Sequence, residues 1–228
     1  MQCGCDRLAA ALENQAESAY EGGMDRRQAL TGLIAAGTLA SASAPSRLFA
    51  QAYAITEQHR KVLEIAKEQL ERNRARLWRT DMVGVADFAL PSSLPRFHFA
   101  DLEKGQVRSF LVAHGKGSDP EHDGFLKLFS NEPGSLATSR GAFVTNEWYK
   151  GKYGTSIRLV GTDPENSNAL ERAIVLHPAW YANPDMLEKW GKLGRSDGCF
   201  AMGEADFNEA LWHLSGGRLI YADRLGIG

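Results

Sequence analysis

The sequence predicts a mainly β domain of the α+β class, a sandwich or an open barrel, with an N-terminal helix and short flanking helices. Seven short stretches rich in β-branched and aromatic residues alternate with turn residues, a spacing typical of antiparallel sheets. In the segment before them, apolar residues recur at helical spacing between charged residues. The 228 residues, 43% of them hydrophobic, suffice for one such domain and a short extra segment.

Residues 24–52 have the three parts of an export signal. Met24-Asp25-Arg26-Arg27 is a basic start, an apolar run too short to span a bilayer follows, and Ala50-Gln51-Ala52 fits a small-x-small cleavage site. The paired arginines point to the twin-arginine route but also fit general secretion. We therefore predict a start at Met24, cleavage after Ala52 and a periplasmic protein with no transmembrane segment in its mature chain. The alternative is that residues 1–52 form a disordered arm with a small amphipathic helix.

The predicted elements follow in order after Ala52. Residues 53–82 contain one amphipathic helix, from Ile55 to about Arg79, because apolar residues recur there without Gly or Pro. Residues 83–228 form the β domain, in which Glu103-Lys104-Gly105 is a hairpin turn. The predicted strands are 83–88, 96–102, 106–114, 142–148, 155–160, 173–177 and 218–222, and the predicted short helices are 184–193 and 204–214.

The nearly equal numbers of basic and acidic residues argue against two classes of binding partner. The chain has 26 basic and 28 acidic residues and a formal net charge of −2, so it offers no electrostatic footprint for nucleic acid or for an anionic membrane surface. The loop from Gly115 to Gly141 is long for a compact domain, and loops of this length tend to form lids or binding walls.

Cys199 is the only cysteine that remains once the export signal is removed, since the other two are Cys3 and Cys5. A thiol needs a nearby base to become a nucleophile at neutral pH. His177 ends a predicted strand, where the sheet would fix its imidazole, and Gly198 lets backbone N–H groups of the turn converge on an oxyanion. The alternatives are an inert buried cysteine and a structural histidine.

Several ordered motifs resemble the L,D-transpeptidase catalytic domain, also called YkuD-like, and in particular its murein L,D-transpeptidase branch. The resemblance covers about residues 83–206 and includes a histidine followed by a Ser-x-Gly-Cys segment. The matching stretches are Val112-Ala113-His114-Gly115, Phe129 to Ser135, Gly151-Lys152-Tyr153-Gly154, Ser156 to Leu159, Arg172 to His177 and Gly194 to Cys199.

The resemblance implies acyl transfer between stem peptides of peptidoglycan without metal or cofactor. Cys199 would attack the carbonyl of meso-diaminopimelate at position three, release D-alanine and hold the acyl group as a thioester. His177 would carry the proton, a carbonyl just after it would orient the ring, and the N–H groups of Gly198 and Cys199 would bind the oxyanion. Ser196 and Arg195 would shape the turn and meet the substrate carboxylate. Carbapenem β-lactams are expected inhibitors because they require the same activated thiol.

Three positions depart from the family pattern. Asp197 replaces the usual histidine, Ala201 replaces an arginine, and Pro178 stands where glycine follows the catalytic histidine. Arg195 or Arg140 would then take over the missing arginine's role.

Further candidates have weaker signals. Ser139 and Arg140 are candidates for a substrate wall, with a surface turn as the equal alternative, and Tyr153 could meet the stem peptide or simply pack. His114 and His122 have no acidic partner at metal-ligand spacing, so a zinc site is rejected. The rival functions are an L,D-carboxypeptidase and a catalytically silent wall-binding module.

Overall fold

The computed structural model describes residues 44–227, and the side chains of residues 57–227. Helix α1 spans Ala44–Asn73 and is followed by a 3-10 turn at Arg74–Arg76, so it begins and ends earlier than the sequence predicts. It ends where the buried Asn73 side chain donates to the carbonyl of Gln69 (3.0 Å) and accepts from the hydroxyl of Thr162 (3.0 Å). Residues 1–43, which include most of the predicted export signal, lie outside the described residues, and cleavage after Ala52 stays a prediction.

Eight strands form one sheet in the order β3-β2-β1-β8-β4-β5-β6-β7. All neighbours are antiparallel except the pairs β1–β8 and β6–β7, which confirms the mainly antiparallel prediction. Seven strands correspond to the predicted stretches, and the short β7 was not predicted. The strands are β1 Met82–Asp87, β2 Phe97–Asp101, β3 Gln106–Phe110, β4 Gly141–Gly151, β5 Gly154–Gly161, β6 Val175–Pro178, β7 Phe200–Met202 and β8 Leu219–Asp223.

The two ends of the sheet come together through the segment that follows β3. The N–H of Ala113 donates to the carbonyl of Ala201 in β7 (2.8 Å), the N–H of Ser196 donates to His114 O (2.9 Å) and the N–H of Lys116 donates to Ser196 O (2.8 Å). These bonds join the β3 end of the sheet to the β7 end. The fold is therefore a curled, half-barrel sheet, the open-barrel alternative of the prediction, and the turn that carries Cys199 lies on its seam.

Apolar side chains fill both sides of this sheet. Inside the curl, Phe88, Phe97, Phe143 and Phe200 are fully or almost fully buried, and each contributes roughly 2–3 kcal/mol by leaving water. On the outer face, Val62, Ala66 and Leu70 of α1 form a stripe at i, i+4, i+8 that packs on β1, β2, β3 and β8. The N-terminal helix is thus part of the domain's core.

Two short helices flank the sheet close to their predicted positions. Helix α2 spans Asp185–Trp190 and stops at Gly191, whose φ of 68° lets its N–H donate to Leu187 O. Helix α3 spans Glu204–Leu214 and follows β7 after one residue, Gly203. Among residues 44–227, none of the helices is long and apolar enough to cross a membrane.

We expect His98 on β2 to make the fold sensitive to acid. It is buried, its Nδ1 bonds with Ser109 Oγ (2.8 Å), its Nε2 has no partner among the described residues, and burial lowers its pKa from 6.5 to about 4 against the charge of Asp87. Because the pKa of His98 is lower in the folded than in the unfolded protein, the neutral ring contributes stability that is fully present above pH 6.5. This contribution is lost as the pH falls from 6.5 through about 4. The shift corresponds to roughly 3 kcal/mol, at about 1.4 kcal/mol per pKa unit.

The substitution His98→Gln tests this, because glutamine retains a partner for Ser109 but does not titrate. The free energy of unfolding, measured with urea between pH 7 and pH 4, should fall less steeply in the variant than in the wild type. Parallel curves would refute the assignment to His98.

Candidate active site

Strands β6 and β7 bring His177 and Cys199 into the same part of the sheet. The two strands are parallel, with Leu176 opposite Phe200 and His177 opposite Ala201. Cys199 is the residue directly before β7, so it lies next to the strand that carries His177. Both are almost fully buried, and Cys199 is the only cysteine in residues 44–227.

The imidazole of His177 is held in a single tautomer. Its Nδ1 lies 2.9 Å from the carbonyl oxygen of Pro178, which can only accept, so Nδ1 carries the hydrogen and Nε2 presents a lone pair. The ring of Tyr153 stacks on it, with centroids 4.5 Å apart and planes 23° apart. Burial lowers the pKa of His177, and the bond to Pro178 opposes this. At neutral pH the ring is uncharged and able to accept a proton.

The thiol of Cys199 is protonated in the resting protein. Burial raises its pKa to about 11; the charge of Asp197 acts in the same direction, while the N–H of Val175 and the charge of Arg172 oppose it. Its Sγ lies 3.6 Å from the carbonyl oxygen of Ala173, a weak contact in which the thiol donates. Attack by this sulfur thus requires a base to remove the proton as the bond forms.

Ser196 fixes the turn that carries the thiol. Its hydroxyl donates to the carbonyl of Cys199 (2.6 Å) and accepts the N–H of Gly198 (3.2 Å). This corrects one expectation: the N–H of Gly198 points into the turn, where Ser196 Oγ already binds it, rather than towards an oxyanion. Gly198 instead allows the turn to form. Its φ is 115°, which L residues rarely adopt, and a Cβ at this position would stand 2.9 Å from the carbonyl oxygen of Ala137, so only glycine fits.

Asp197 and Arg195, which flank Ser196, both contact the loop that begins at Gly115. The exposed carboxylate of Asp197 pairs with Lys116 (2.8 Å). The guanidinium of Arg195 donates to the carbonyls of Asp119 and Pro120. In this structure Arg195 therefore anchors the loop rather than lying open to a substrate carboxylate.

The predicted substrate wall at Ser139 and Arg140 is engaged elsewhere. Ser139 is fully buried, and its hydroxyl donates to Ser130 O (2.9 Å). Arg140 forms an ion pair with Asp223 at the end of β8 (2.8 Å). Neither side chain is placed to contact a ligand beside His177, because both lie where the loop is tied to the sheet.

Arg172 was missed as a site residue, although it stands in one of the family-like motifs. Its guanidinium donates four hydrogen bonds to one loop, to Ser130 O (2.6 Å), Ser139 Oγ (2.7 Å), Ser135 Oγ (3.2 Å) and Ala137 O (2.6 Å). Its charge lowers the pKa of Cys199. It is thus a cation close enough to affect the thiol, and the signal that could have identified it is an arginine immediately before the predicted strand 173–177.

A cluster of buried polar side chains, formed by Arg96, His114 and Asp119, lies next to the seam. Arg96, fully buried, donates to His114 Nδ1 (2.7 Å), and His114 Nε2–H faces Asp119 Oδ2 at 3.4 Å. Burial, together with the charge of Arg96, lowers the pKa of His114 to about 3, so this histidine stays neutral. Within residues 57–227, no three His, Cys, Asp or Glu side chains converge as a metal site would require.

A cavity of about 540 Å³ opens on one side of His177. Tyr153, at the tip of the β4–β5 hairpin, and the first turns of α3 both contribute to its walls. Cys199 is not among the residues that line it. The lining residues are Tyr153, Thr155, His177, Pro178, Ala179, Trp180, Tyr181, Glu204, Phe207, Asn208 and Leu211.

A curled β sheet in which a buried histidine and a buried cysteine lie on neighbouring segments near the seam defines the domain. The family described as "L,D-transpeptidase catalytic domain" matches residues 54–222, so the chain belongs to that family. This confirms the resemblance found in the motifs. No curated protein matches the chain.

Solved structures of L,D-transpeptidases are similar to this chain at low identity. The L,D-transpeptidase from Mycobacterium smegmatis is 16% identical over 63% of this chain and 58% of that one, with a TM-score of 0.39. LdtMt1 in complex with imipenem is 14% identical over 63% and 59%, with a TM-score of 0.39. L,D-transpeptidase 3 from Mycobacterium tuberculosis, in complex with a faropenem-derived adduct, is 14% identical over 63% and 60%, with a TM-score of 0.40. The chain thus spans less than two thirds of the length of these relatives.

Proposed function

We propose that this chain is a peptidoglycan L,D-transpeptidase that forms cross-links through a thioester on Cys199, with His177 as general base. One observation carries the proposal: His177 has Nδ1 fixed on the carbonyl of Pro178, which leaves Nε2 unprotonated, and its strand pairs with the strand that begins directly after Cys199. A protonated thiol needs such a base close by in order to react.

In the first step Nε2 of His177 takes the thiol proton as Sγ attacks the carbonyl carbon of diaminopimelate in the donor stem. The C–N bond to D-alanine breaks, and the proton passes from His177 to the leaving amine. The N–H of Gly198 is bound to Ser196, so we assign the binding of the developing oxyanion to the N–H of Cys199. Arg172 adds positive charge beside the sulfur as it becomes a thiolate.

In the second step an amine of a neighbouring stem attacks the thioester. Water in its place would make the protein an L,D-carboxypeptidase, which differs only in the nucleophile that accepts the acyl group. A silent wall-binding module would need neither a fixed imidazole nor a thiol beside it, so the arrangement of His177 and Cys199 favours an enzyme.

β-Lactams of the carbapenem type are proposed inhibitors. Relatives are named as complexes with imipenem and with a faropenem-derived adduct. An adduct on this chain would form on Cys199 by the same attack that opens a stem-peptide amide.

The wall substrate requires export, so we propose that the chain acts in the periplasm after cleavage behind Ala52. The sequence pattern of residues 24–52 supports this. The N-terminal sequence of the protein recovered from the periplasm tests it: Tyr53 is expected, and Met1 would contradict it.

Incubation with purified muropeptides tests the activity. Wild type should convert tetrapeptide monomers into cross-linked dimers or tripeptides, as read by mass spectrometry, and Cys199→Ala should leave them unchanged. Cys199→Ser is the matched variant, since a hydroxyl keeps the shape but is a far poorer nucleophile. Unchanged monomers with the wild type would refute the enzyme, and activity in Cys199→Ala would refute the mechanism.

A further inference from the structure

A bulge in strand β4 and the turn before strand β8 form a concave surface apart from the cavity beside His177. Two residues of β4, Asn146 and Glu147, stand opposite a single residue of β5, and such a bulge redirects the side chains of its strand. The N–H of Gly217 donates to Thr145 O (2.8 Å), which ties the turn to the start of the bulge. Among the described residues, none lines both this surface and the first cavity.

The indole of Trp78 lies on this turn and remains open to solvent. The backbone N–H of Trp78 donates to Gly217 O (2.9 Å). Gly217 has a φ of 87°, and a Cβ there would stand 2.7 Å from Cβ and 2.9 Å from Cγ of Trp78, so this close contact requires glycine. Trp78 is 81% exposed, and Trp148 of β4 is 61% exposed. Two exposed indoles that border one cavity indicate a binding surface.

The two indoles border a pair of adjoining cavities. The larger, of about 330 Å³, is lined by both rings and by polar side chains that include Asn146 and Arg79. The smaller, of about 250 Å³, shares Trp78 and Asn146 with it and adds Arg76. Both arginines are exposed, and neither forms an ion pair with a side chain of residues 57–227. Glu147 is the one carboxylate among the lining residues, so positive charge prevails.

This lining suits a sugar chain. The ring C–H groups of a β-linked pyranose form an apolar face that packs on the negative face of an indole. The hydroxyl and acetamido groups at the edge of the sugar can exchange hydrogen bonds with side chains such as Asn146 and Arg79. A protein partner would need about 20–30 residues on this side, more than line the two cavities together. Exposed arginines without an ion pair attract a chain that also carries carboxylates.

We propose that Trp78, Trp148 and the two arginines form a second site, which binds the glycan strand of peptidoglycan apart from the site of acyl transfer. The choice of this glycan rests on the proposed function. Its repeating unit joins two N-acetylated sugars, one of which bears a lactyl group that ends in a carboxylate or in the stem peptide. The ring faces pack on the indoles, and the carboxylates lie near Arg76 and Arg79. Binding here keeps the protein on an insoluble polymer while stem peptides enter and leave the reaction site.

Titration with glycan chains freed of their stem peptides tests this, because they carry sugar rings and lactyl carboxylates but no substrate for Cys199. Their Kd for the full chain is measured by calorimetry. Trp148→Ala should raise the Kd about ten-fold, a common loss when an indole is removed from the centre of a binding surface. Trp148→Phe keeps an aromatic face and should recover part of this loss. A Phe variant as weak as the Ala variant would contradict packing of sugar on the ring.

Trp212→Ala is the matched control, because Trp212 on α3 is 80% exposed and lines neither cavity. Its Kd should equal that of the wild type. An unchanged Kd in Trp148→Ala, an equal loss in Trp212→Ala, or no binding by the wild type would overturn the inference. Poly-glutamate bound as tightly as the glycan would also overturn it, since the surface would then attract any polyanion. Glycan binding by a wild-type chain that leaves muropeptides unchanged would instead refute the proposed function.

Discussion

Replacing His177 with Gln is expected to slow acylation of Cys199 by a factor of about 10²–10⁴, the usual contribution of a positioned general base. The thiol has a raised pKa of about 11, so without a base almost none of it is ionised at pH 7. Glutamine retains a side-chain donor for the carbonyl of Pro178 but cannot take a proton. Pre-steady-state release of D-alanine measures this step.

The pH profile separates a base from a structural histidine. Because burial lowers the pKa of His177, the wild-type rate should remain constant through pH 6.5 and fall only when the imidazole is protonated at lower pH. The variant should lose this acid limb, and its rate should rise with hydroxide. His213→Gln, on the exposed face of α3, is the control for loss of a histidine. An unchanged rate in His177→Gln would remove the general base from the mechanism.

Gly198→Ala is expected to cost both stability and activity. Its φ of 115° is a conformation that L residues rarely adopt, and the new Cβ would stand 2.9 Å from Ala137 O and 3.0 Å from Ile174 Cδ1. Strain and overpacking together amount to about 3–4 kcal/mol in the free energy of unfolding. Because the turn also sets the position of Cys199, acyl transfer should fall at least ten-fold even at temperatures where the variant is folded.

Gly105→Ala separates the two causes. Gly105 has a φ of 64°, also in the left-handed region, but nothing lies within 4 Å of its Cβ position. This variant should lose only about 1 kcal/mol and keep full activity. Equal losses of stability and activity in the two variants would show that the crowding at the Gly198 turn has no special importance.

The fold was largely predictable because its signals are local. Alternating β-prone stretches located seven strands, and the spacing of Val62, Ala66 and Leu70 located the buried face of α1. The end of α1 was not predictable in this way: Asn73 stops the helix with help from Thr162, which is distant in sequence. Strand β7 was missed because three buried residues have no periodicity to read, and its pairing with β6 exists only in the folded sheet.

The site was predictable only in its chemically distinctive members. A lone cysteine and a histidine at a strand end stand out in the sequence, so Cys199 and His177 could be singled out as candidates. The roles of their neighbours depend on which partner each side chain reaches: Ser139 turned inward to Ser130, Arg195 bound the loop at Asp119, and Arg172 bound the loop at Ser130. Such partners are fixed by tertiary folding, which residue type alone does not specify.

The thioester itself provides the most direct test of the account. Wild-type protein mixed with a stem tetrapeptide and quenched in acid should carry the donor acyl group without its D-alanine, and peptide mapping of the intact adduct should place it on Cys199. Cys199→Ala should carry none. An adduct on Cys3 or Cys5, or cross-linked product formed without any adduct, would contradict the central claim that Cys199 is the nucleophile.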